Sequence, residues 1–208
     1  MMVVSFITLA IRNKKVIALT VRQQANRIDK TFNLASECEV EQGMQWYSEA
    51  RQFSRDMANL ANRSREQVAQ LISLFSPKKE WTQNMREVQA FILEEIYGIP
   101  YDKGYFMTKR SMSEARDILH TDYRIPFKRT KTYSFADNIA DRDSKEITID
   151  RHAIKVAYGT ESSKEILITD KRYRQAREAY AIVAEQHGLK GYELQAITWL
   201  TYKRIVNR

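Results

Sequence analysis

The sequence is poor in residues that interrupt helices and in residues that bind metals. Its 208 residues include six glycines and three prolines, which disfavours a sheet-rich fold with many turns and favours long helices. The single cysteine, Cys38, excludes a disulfide framework, a cysteine-based zinc site and an iron–sulfur cluster within one chain. The three histidines, His120, His152 and His187, lack the spacing of metal ligands. We therefore expect no metal and no redox cofactor.

A long apolar segment is also missing. The apolar run from Met2 to Ile11 is too short to span a bilayer, and Arg12 ends it. A basic stretch of the kind that opens a secretory signal does not precede this run. We expect a buried helix or strand there, no membrane partner, and a cytoplasmic protein of a bacterium or a phage-infected cell.

The composition otherwise describes a packed, basic protein. Hydrophobic residues make up 43% of the chain, as in globular proteins, and the length fits one medium domain or two small lobes sharing a core. The formal charge of +8 indicates a polyanionic partner. We expect the protein to be a monomer.

Apolar residues recur at helical spacing along most of the chain, which predicts an all-α fold of eight or more helices. Gly43 is expected to separate the first helix from one over Met44 to Ala61. Ser64 and Gln67 have the spacing of a capping box at the start of another helix. Gly188 and Gly191 are expected to follow the end of a long helix near the C-terminus.

The stretch from Ile125 to Gly159 is the part of the sequence most suggestive of function. A helix over Glu114 to His120, a tight basic turn over Ile125 to Thr130 and a second helix from Lys131 describe a helix-hairpin-helix. In such a motif, backbone N–H groups at a helix N-terminus can hold a DNA phosphate. Asp150 follows nineteen positions after Lys131, inside an otherwise apolar run.

These residues resemble the helix-hairpin-helix superfamily of DNA glycosylases. Ile125-Pro126 and Lys131-Thr132 stand at the Leu-Pro and Lys-Thr positions of the family's hairpin, and Ile149 to His152 matches its Val-Asp-x-His element. The segment from Leu74 to Lys78 looks like the part of these proteins that enters the DNA stack. Further elements resemble small, phage-encoded members: Ser76, Pro77, Trp81 and Asn84; Lys131, Phe135 and Asn138; and Glu193 to Trp199.

The resemblance covers residues 64 to 204 and has one notable departure. Phe127 and Arg129 replace the two hairpin glycines, which would permit a close backbone approach to DNA. Side-chain contacts from Lys128 and Arg129 would then take over part of the phosphate binding.

The resemblance implies a fold, a partner and a reaction. The fold would be two helical lobes with a cleft between them, formed by a domain over 64–208 with its hairpin at about 114–139, and a helical extension over 1–63 would pack on it. The partner would be double-stranded DNA, and no iron–sulfur cluster would be present. The reaction would be cleavage of the N-glycosidic bond of a damaged or modified base after base flipping, as in base-excision DNA repair, and strand cleavage would follow if Lys131 forms a Schiff base with the sugar.

Two residues would carry this chemistry. Asp150 would be the essential catalytic acid, since a carboxylate stabilises the positive charge that develops on the sugar, and it is equally a good helix N-cap. Lys131 would be either the amine nucleophile that forms a Schiff base or a phosphate ligand.

Other residues would bind the DNA or the base. The resemblance assigns DNA contacts to Lys78, Lys128, Arg129, Thr132, Arg151 and His152, although surface solvation for Lys78 and a structural role for His152 are alternatives. It places Trp81, Asn84, Tyr105 and Phe106 near a base pocket, with core packing or loop bracing as the alternative for each. A non-catalytic DNA-binding protein and an enzyme acting on modified phage DNA bases are the alternative functions.

Overall fold

A computed structural model describes residues 19–159 and 166–206. The described residues form nine α-helices and no strand, which confirms the all-α prediction. None of these helices is long and apolar enough to cross a membrane. The apolar run predicted over 2–11 lies outside the described residues. The helices are α1 (Val21–Phe32), α2 (Glu37–Ala61), α3 (Arg65–Phe75), α4 (Trp81–Tyr97), α5 (Lys109–His120), α6 (Thr130–Ala140), α7 (Arg151–Tyr158), α8 (Asp170–Gln186) and α9 (Gly191–Val206).

Most helices begin at a residue whose side chain accepts a backbone N–H of the first turn. The predicted capping box of Ser64 and Gln67 at the start of α3 is confirmed. Thr20 and Ser36 open α1 and α2 with the same reciprocal arrangement. These caps satisfy N–H groups that have no partner inside the helix, and they fix where each helix starts.

The prediction that Gly43 ends a helix is wrong, because α2 runs through it without interruption. A Cβ at this position would lie 2.4 Å from Cγ1 and 2.7 Å from Cα of Ile197 in α9. Glycine is therefore needed at position 43 for the close approach of two helices rather than for a turn. Gly188 does follow α8 with a φ of 64°, but Gly191 begins α9 instead of ending α8.

The buried side chains form two hydrophobic clusters. The first is built from α2 to α6 and centres on α3, whose residues from Val68 to Phe75 are all buried. The second combines α1, α7, α8 and α9 with the buried segment around Ile149. Helix α9 contributes to both, with Tyr192 and Ala196 in the first cluster and Leu194 and Tyr202 in the second. The division of the chain into 1–63 and 64–208 stays a prediction.

Candidate functional site

The segment from Ser144 to Asp150 is held against one face of α6 by buried hydrogen bonds. Asn138 Nδ2 donates to the Glu146 carbonyl at 2.7 Å, and the Thr148 hydroxyl donates to Asn138 Oδ1 at 2.9 Å. One turn earlier on α6, the Ser134 hydroxyl donates to Glu146 Oε2 at 2.7 Å. Because three groups on the segment are bonded to two residues of the helix, the position of Asp150 along α6 is fixed.

Helix α8 adds a third element to this network. Tyr173 Oη lies 3.1 Å from the Ser134 hydroxyl and 3.1 Å from the Ile147 carbonyl, and it accepts the Ile149 N–H at 3.3 Å. The backbone groups of a buried, non-helical segment need such partners, because water cannot reach them. The network therefore holds the residues immediately before Asp150 between α6 and α8.

Asp150 is the N-cap of α7. Its Oδ1 accepts the backbone N–H groups of His152 at 2.9 Å and of Ala153 at 2.8 Å, and its Oδ2 lies 3.1 Å from Nδ1 of the His152 ring. The capping role offered by the sequence is therefore present. The side chain is 19% exposed, so the carboxylate also keeps access to solvent.

The pKa of Asp150 lies below its ordinary value. Burial alone would raise this pKa, but the hydrogen bonds from His152 and Ala153 and the positive charge of Lys131 outweigh burial. The carboxylate is consequently ionised at neutral pH. It is an acceptor and a negative charge there, not a proton donor.

Lys131 lies near Asp150 because of its position on α6. It precedes Ser134 by three residues and Asn138 by seven, so all three occupy the helix face that meets the segment before Asp150. Its charge acts on the Asp150 carboxylate, and the side chain itself is exposed. The two residues predicted to carry the chemistry are thus brought within electrostatic reach of each other.

The predicted hairpin connects α5 and α6 through residues 121–129, and Arg129 is the N-cap residue of α6. Its side chain makes no capping hydrogen bond and forms an ion pair with Glu114 of α5. The Tyr123 hydroxyl donates to the same carboxylate at 2.9 Å. The structure therefore places Arg129 in contact with α5, whereas Lys128 is exposed.

The remaining predicted DNA contacts lie near the starts of α6 and α7. Lys78 is exposed in the turn after α3, where its φ is 61°. That turn lies beside the first turn of α6, since the Ser73 hydroxyl donates to the Thr132 carbonyl at 2.7 Å. Arg151 is exposed at the first position of α7. Lys78, Lys128, Lys131 and Arg151 are all exposed, and none of the four forms an ion pair with another described residue.

Aromatic side chains surround the same region. Trp46 of α2 contacts Trp81 at 4.8 Å and stacks on Phe135 of α6 at 5.9 Å between ring centroids. Trp199 of α9 lies edge-on to the His152 ring at 6.2 Å. All four are partly buried, so each presents some aromatic surface to solvent. The candidate site is defined as Lys131, Asp150 and His152 together with Trp46, Trp81, Phe135 and Trp199.

Three other residues predicted near a base pocket have different surroundings. Tyr105 donates to Glu94 at 2.5 Å and packs edge-on against Phe75 and Phe91. Asn84 is 2% exposed and donates to the Ile72 carbonyl at 3.0 Å, which braces α4 against α3. For Tyr105 and Asn84, these contacts are the core packing and bracing that were the alternatives to a role in a base pocket. Phe106 is 65% exposed in the loop after α4.

Comparison with known proteins assigns the chain to a family without assigning an activity. The model of a family of unknown function (DUF7178) matches residues 10–205. The chain belongs to this family. No curated protein and no solved structure matches it.

In this member of DUF7178, sequence patterns missed two tryptophans of the candidate site. Trp46 and Trp199 fit the apolar faces of two predicted helices, where a tryptophan is expected in the core. Their positions beside Phe135 and His152 depend on how α2, α6, α7 and α9 pack together. The signal that could have found them is that tryptophan is large and seldom fully buried.

Two cavities among the described residues are lined by none of the residues of the candidate site. The larger, of about 1050 Å³, lies between α2, the end of α6 and the start of α9. Its lining includes positively charged side chains (Arg51, Arg55, Arg65 and Arg142) and negatively charged ones (Glu37, Glu41, Asp141 and Glu193). The smaller, of about 290 Å³, lies beside Gln70 and Tyr133. Within residues 19–159 and 166–206, no cluster of three His, Cys, Asp or Glu side chains could hold a metal ion.

Proposed function

We propose that the protein is a DNA glycosylase that flips a damaged or modified base out of the duplex and cleaves its N-glycosidic bond. The observation that carries this proposal is that Lys131, on the face of α6 that meets the segment before Asp150, lies close enough for its positive charge to act on the Asp150 carboxylate. A cation and an ionised carboxylate from two different helix starts act on each other at a partly exposed site. Aromatic surface adjoins them, as stacking with an extruded base requires.

The roles of the two residues follow from their charges. Breaking the bond between C1′ of the sugar and the base leaves positive charge on the sugar, and the Asp150 carboxylate stabilises that charge. The Lys131 ammonium first gives up a proton to water, and the neutral amine then forms a new bond to C1′ as the base departs with the bonding electrons and takes up a proton. Loss of a proton from the attached amine and opening of the sugar then give an imine, from which the strand can be cleaved.

The surroundings of this pair suit a duplex. The first turn of α6 has no side-chain cap, so its N–H groups are available to a phosphate. Lys78, Lys128 and Arg151 lie in neighbouring turns or helix starts and add positive charge. In this proposal the two hydrophobic clusters are the two lobes of a helix-hairpin-helix glycosylase, and the candidate site lies in the cleft between them.

The test is base release from duplexes that each carry one damaged or phage-type modified base. We expect the wild-type protein to release one class of base, detected by mass spectrometry, and the Asp150→Asn variant to release none. Asparagine is as good an N-cap as aspartate, so the variant should fold and should bind DNA within a few-fold of wild type. Unchanged turnover by the Asn variant would exclude Asp150 as the catalytic carboxylate.

A non-catalytic DNA-binding protein is the second candidate function. It is favoured by one observation, that Asp150 Oδ1 is fully used in capping α7. DNA binding by the wild-type protein without release of any base from the panel would support this candidate and overturn the glycosylase proposal.

A further inference from the structure

Gln195 of α9 is a buried glutamine with one end of its amide fixed. The residue is 7% exposed, and its Oε1 accepts the Tyr47 hydroxyl at 3.3 Å. Tyr47 is 1% exposed, and burial followed by the negative charge of Asp150 raises the pKa of its hydroxyl. Tyr47 therefore remains a protonated donor at neutral pH. In this arrangement the oxygen of the Gln195 amide faces Tyr47 and the nitrogen faces away from it.

The other end of the amide has no protein partner. Gln195 Nε2 donates to no group in the described residues, although an amide nitrogen carries two donors. It is also absent from the fully buried polar atoms that lack a partner, which in the described chain are Gln24 Oε1 and Asn84 Oδ1. The nitrogen therefore reaches solvent through the small exposed part of this residue.

Gln70 shows that this arrangement is not general for buried glutamines in this fold. Gln70 is also 7% exposed, yet its Nε2 donates to the Glu66 carbonyl at 3.2 Å and its Oε1 accepts the Ile125 N–H at 2.7 Å. Both ends of the Gln70 amide are used to brace the fold. Gln195, with equal burial, has a free donor end.

Three contacts place this donor beside the candidate site. The Tyr47 hydroxyl that holds Gln195 is close enough to Asp150 to be affected by its charge, and it lies 3.5 Å from Thr148 Oγ1, two residues before Asp150. Trp199 follows Gln195 by four residues on α9 and therefore shares its helix face. The Trp199 ring in turn lies against His152.

We propose that Gln195 reads the extruded base, with its Nε2 donating a hydrogen bond to a carbonyl oxygen of an oxo-base that lies beside Trp199. The class of ligand is a nucleobase with oxygen, rather than an amino group, at the position that meets Gln195. An amino group there would place donor against donor. This role rests on the proposed function insofar as the base must be flipped out to reach Asp150.

The test compares two pairs of bases that differ by oxo against amino: uracil with cytosine, and hypoxanthine with adenine. Each base is placed opposite an abasic-site analogue in the same duplex, so that the cost of extrusion is similar. Dissociation constants are measured with the full-length Asp150→Asn protein, which should not consume the DNA. We expect the oxo member of one or both pairs to bind about tenfold more tightly, the usual effect of one hydrogen bond to a buried donor.

Variants at Gln195 decide the origin of that preference. Gln195→Met keeps the length of the side chain without the amide and should remove the preference, while Tyr47 keeps Thr148 as an acceptor. Gln195→Glu presents only acceptors and should reverse the preference toward the amino base. Gln186→Met, at an exposed position at the end of α8, is the matched control and should change nothing. If Gln195→Met fails to fold, the binding preference of Gln195→Glu alone decides whether Gln195 causes the preference for the oxo base.

The outcomes separate this inference from the proposed function. Equal binding of both members in each pair, or a preference that persists in both Gln195 variants, would overturn the role of Gln195. Base release by the wild-type protein together with such a result would leave the glycosylase function standing. A Gln195-dependent preference without release of any base would support base reading and overturn the glycosylase activity.

Discussion

The starts of α6 and α7 lie close together, but they differ in what bonds to the N–H groups of the first helical turn. At α7 the orphan N–H groups of the first turn are bonded to the Asp150 carboxylate, which belongs to the protein. At α6 the preceding residue, Arg129, makes no capping bond, and its side chain pairs with Glu114 instead. The start of α7 is therefore occupied by a carboxylate of the protein itself, whereas the start of α6 is available to an anion from a binding partner. The partial positive charge of a helix start suits a phosphate at α6.

The two helix starts also differ in how firmly they are held. The residues before Asp150 are fixed by buried hydrogen bonds to Ser134, Asn138 and Tyr173. Just before Lys131, Lys128 is exposed and Arg129 forms an ion pair with Glu114. The Asp150 carboxylate is thus held by hydrogen bonds, whereas the Lys131 side chain is exposed. A fixed charge and an exposed amine suit the stabilising and attacking roles proposed above.

The largest expected effect comes from removing the amine at the start of α6. Lys131→Ala should abolish base release and also the covalent protein–DNA adduct that borohydride traps from an imine, because Lys131 is the proposed nucleophile and its charge acts on Asp150. The measurement is gel analysis of trapped adduct on a substrate that the wild-type protein cleaves. Lys128→Ala is the control and should retain the adduct. Base release by Lys131→Ala at saturating DNA would make Lys131 a phosphate ligand instead.

The second effect concerns the rigidity of the start of α7. Asn138→Ala removes the partners of the Glu146 carbonyl and of the Thr148 hydroxyl, which leaves buried polar groups unpaired. We expect the free energy of unfolding to fall by about 1–3 kcal/mol, as measured by urea denaturation, and base release to fall with it. Asn59→Ala changes an exposed asparagine of α2 and should cost less than about 0.5 kcal/mol. Equal stability of the two variants would show that the network does not fix Asp150.

The third effect is a pH dependence that belongs to Asp150. Its pKa is lower in the folded protein than in the unfolded chain, so its contribution to stability is complete above the ordinary pKa of about 4. That contribution is lost as the pH falls through the lower, folded-state pKa. The difference in free energy of unfolding between wild type and Asp150→Asn should therefore shrink below about pH 4. A difference that is constant from pH 7 down to pH 2.5 would contradict the lowered pKa.

The smallest effect separates the two cations of the hairpin. Lys128→Ala should lower the slope of log K against log salt for DNA binding by about one, because one phosphate contact is lost. Arg129→Ala should leave that slope unchanged and reduce stability slightly, since Arg129 is paired with Glu114. Binding titrations at four salt concentrations measure both. A loss of slope in the Arg129 variant equal to that of Lys128 would place Arg129 on the DNA.

Local patterns were reliable where the cause is local. The capping box of Ser64 and Gln67 needs four consecutive residues, and its prediction is confirmed. Asp150 was recognised as a cap for the same reason. The role of Gly43 was predicted wrongly because a glycine in a helical pattern usually indicates the end of a helix. Glycine is needed there because Ile197, more than 150 residues away, packs against this position. A single-sequence pattern contains no information about such a contact.

Sequence alone determined the helical class of this protein, the positions of several helix starts and the proximity of a basic turn and an acid in the chain. These features follow from side-chain periodicity and from hydrogen bonds between residues three or four positions apart. Tertiary structure decided that Arg129 faces Glu114, that Trp46 lies against Phe135 and Trp199 against His152, and that Gln195 keeps a free donor. Each of these depends on how helices pack together: Glu114 and Arg129 connect α5 to the start of α6, and Tyr47 of α2 lies 148 positions from Gln195 of α9.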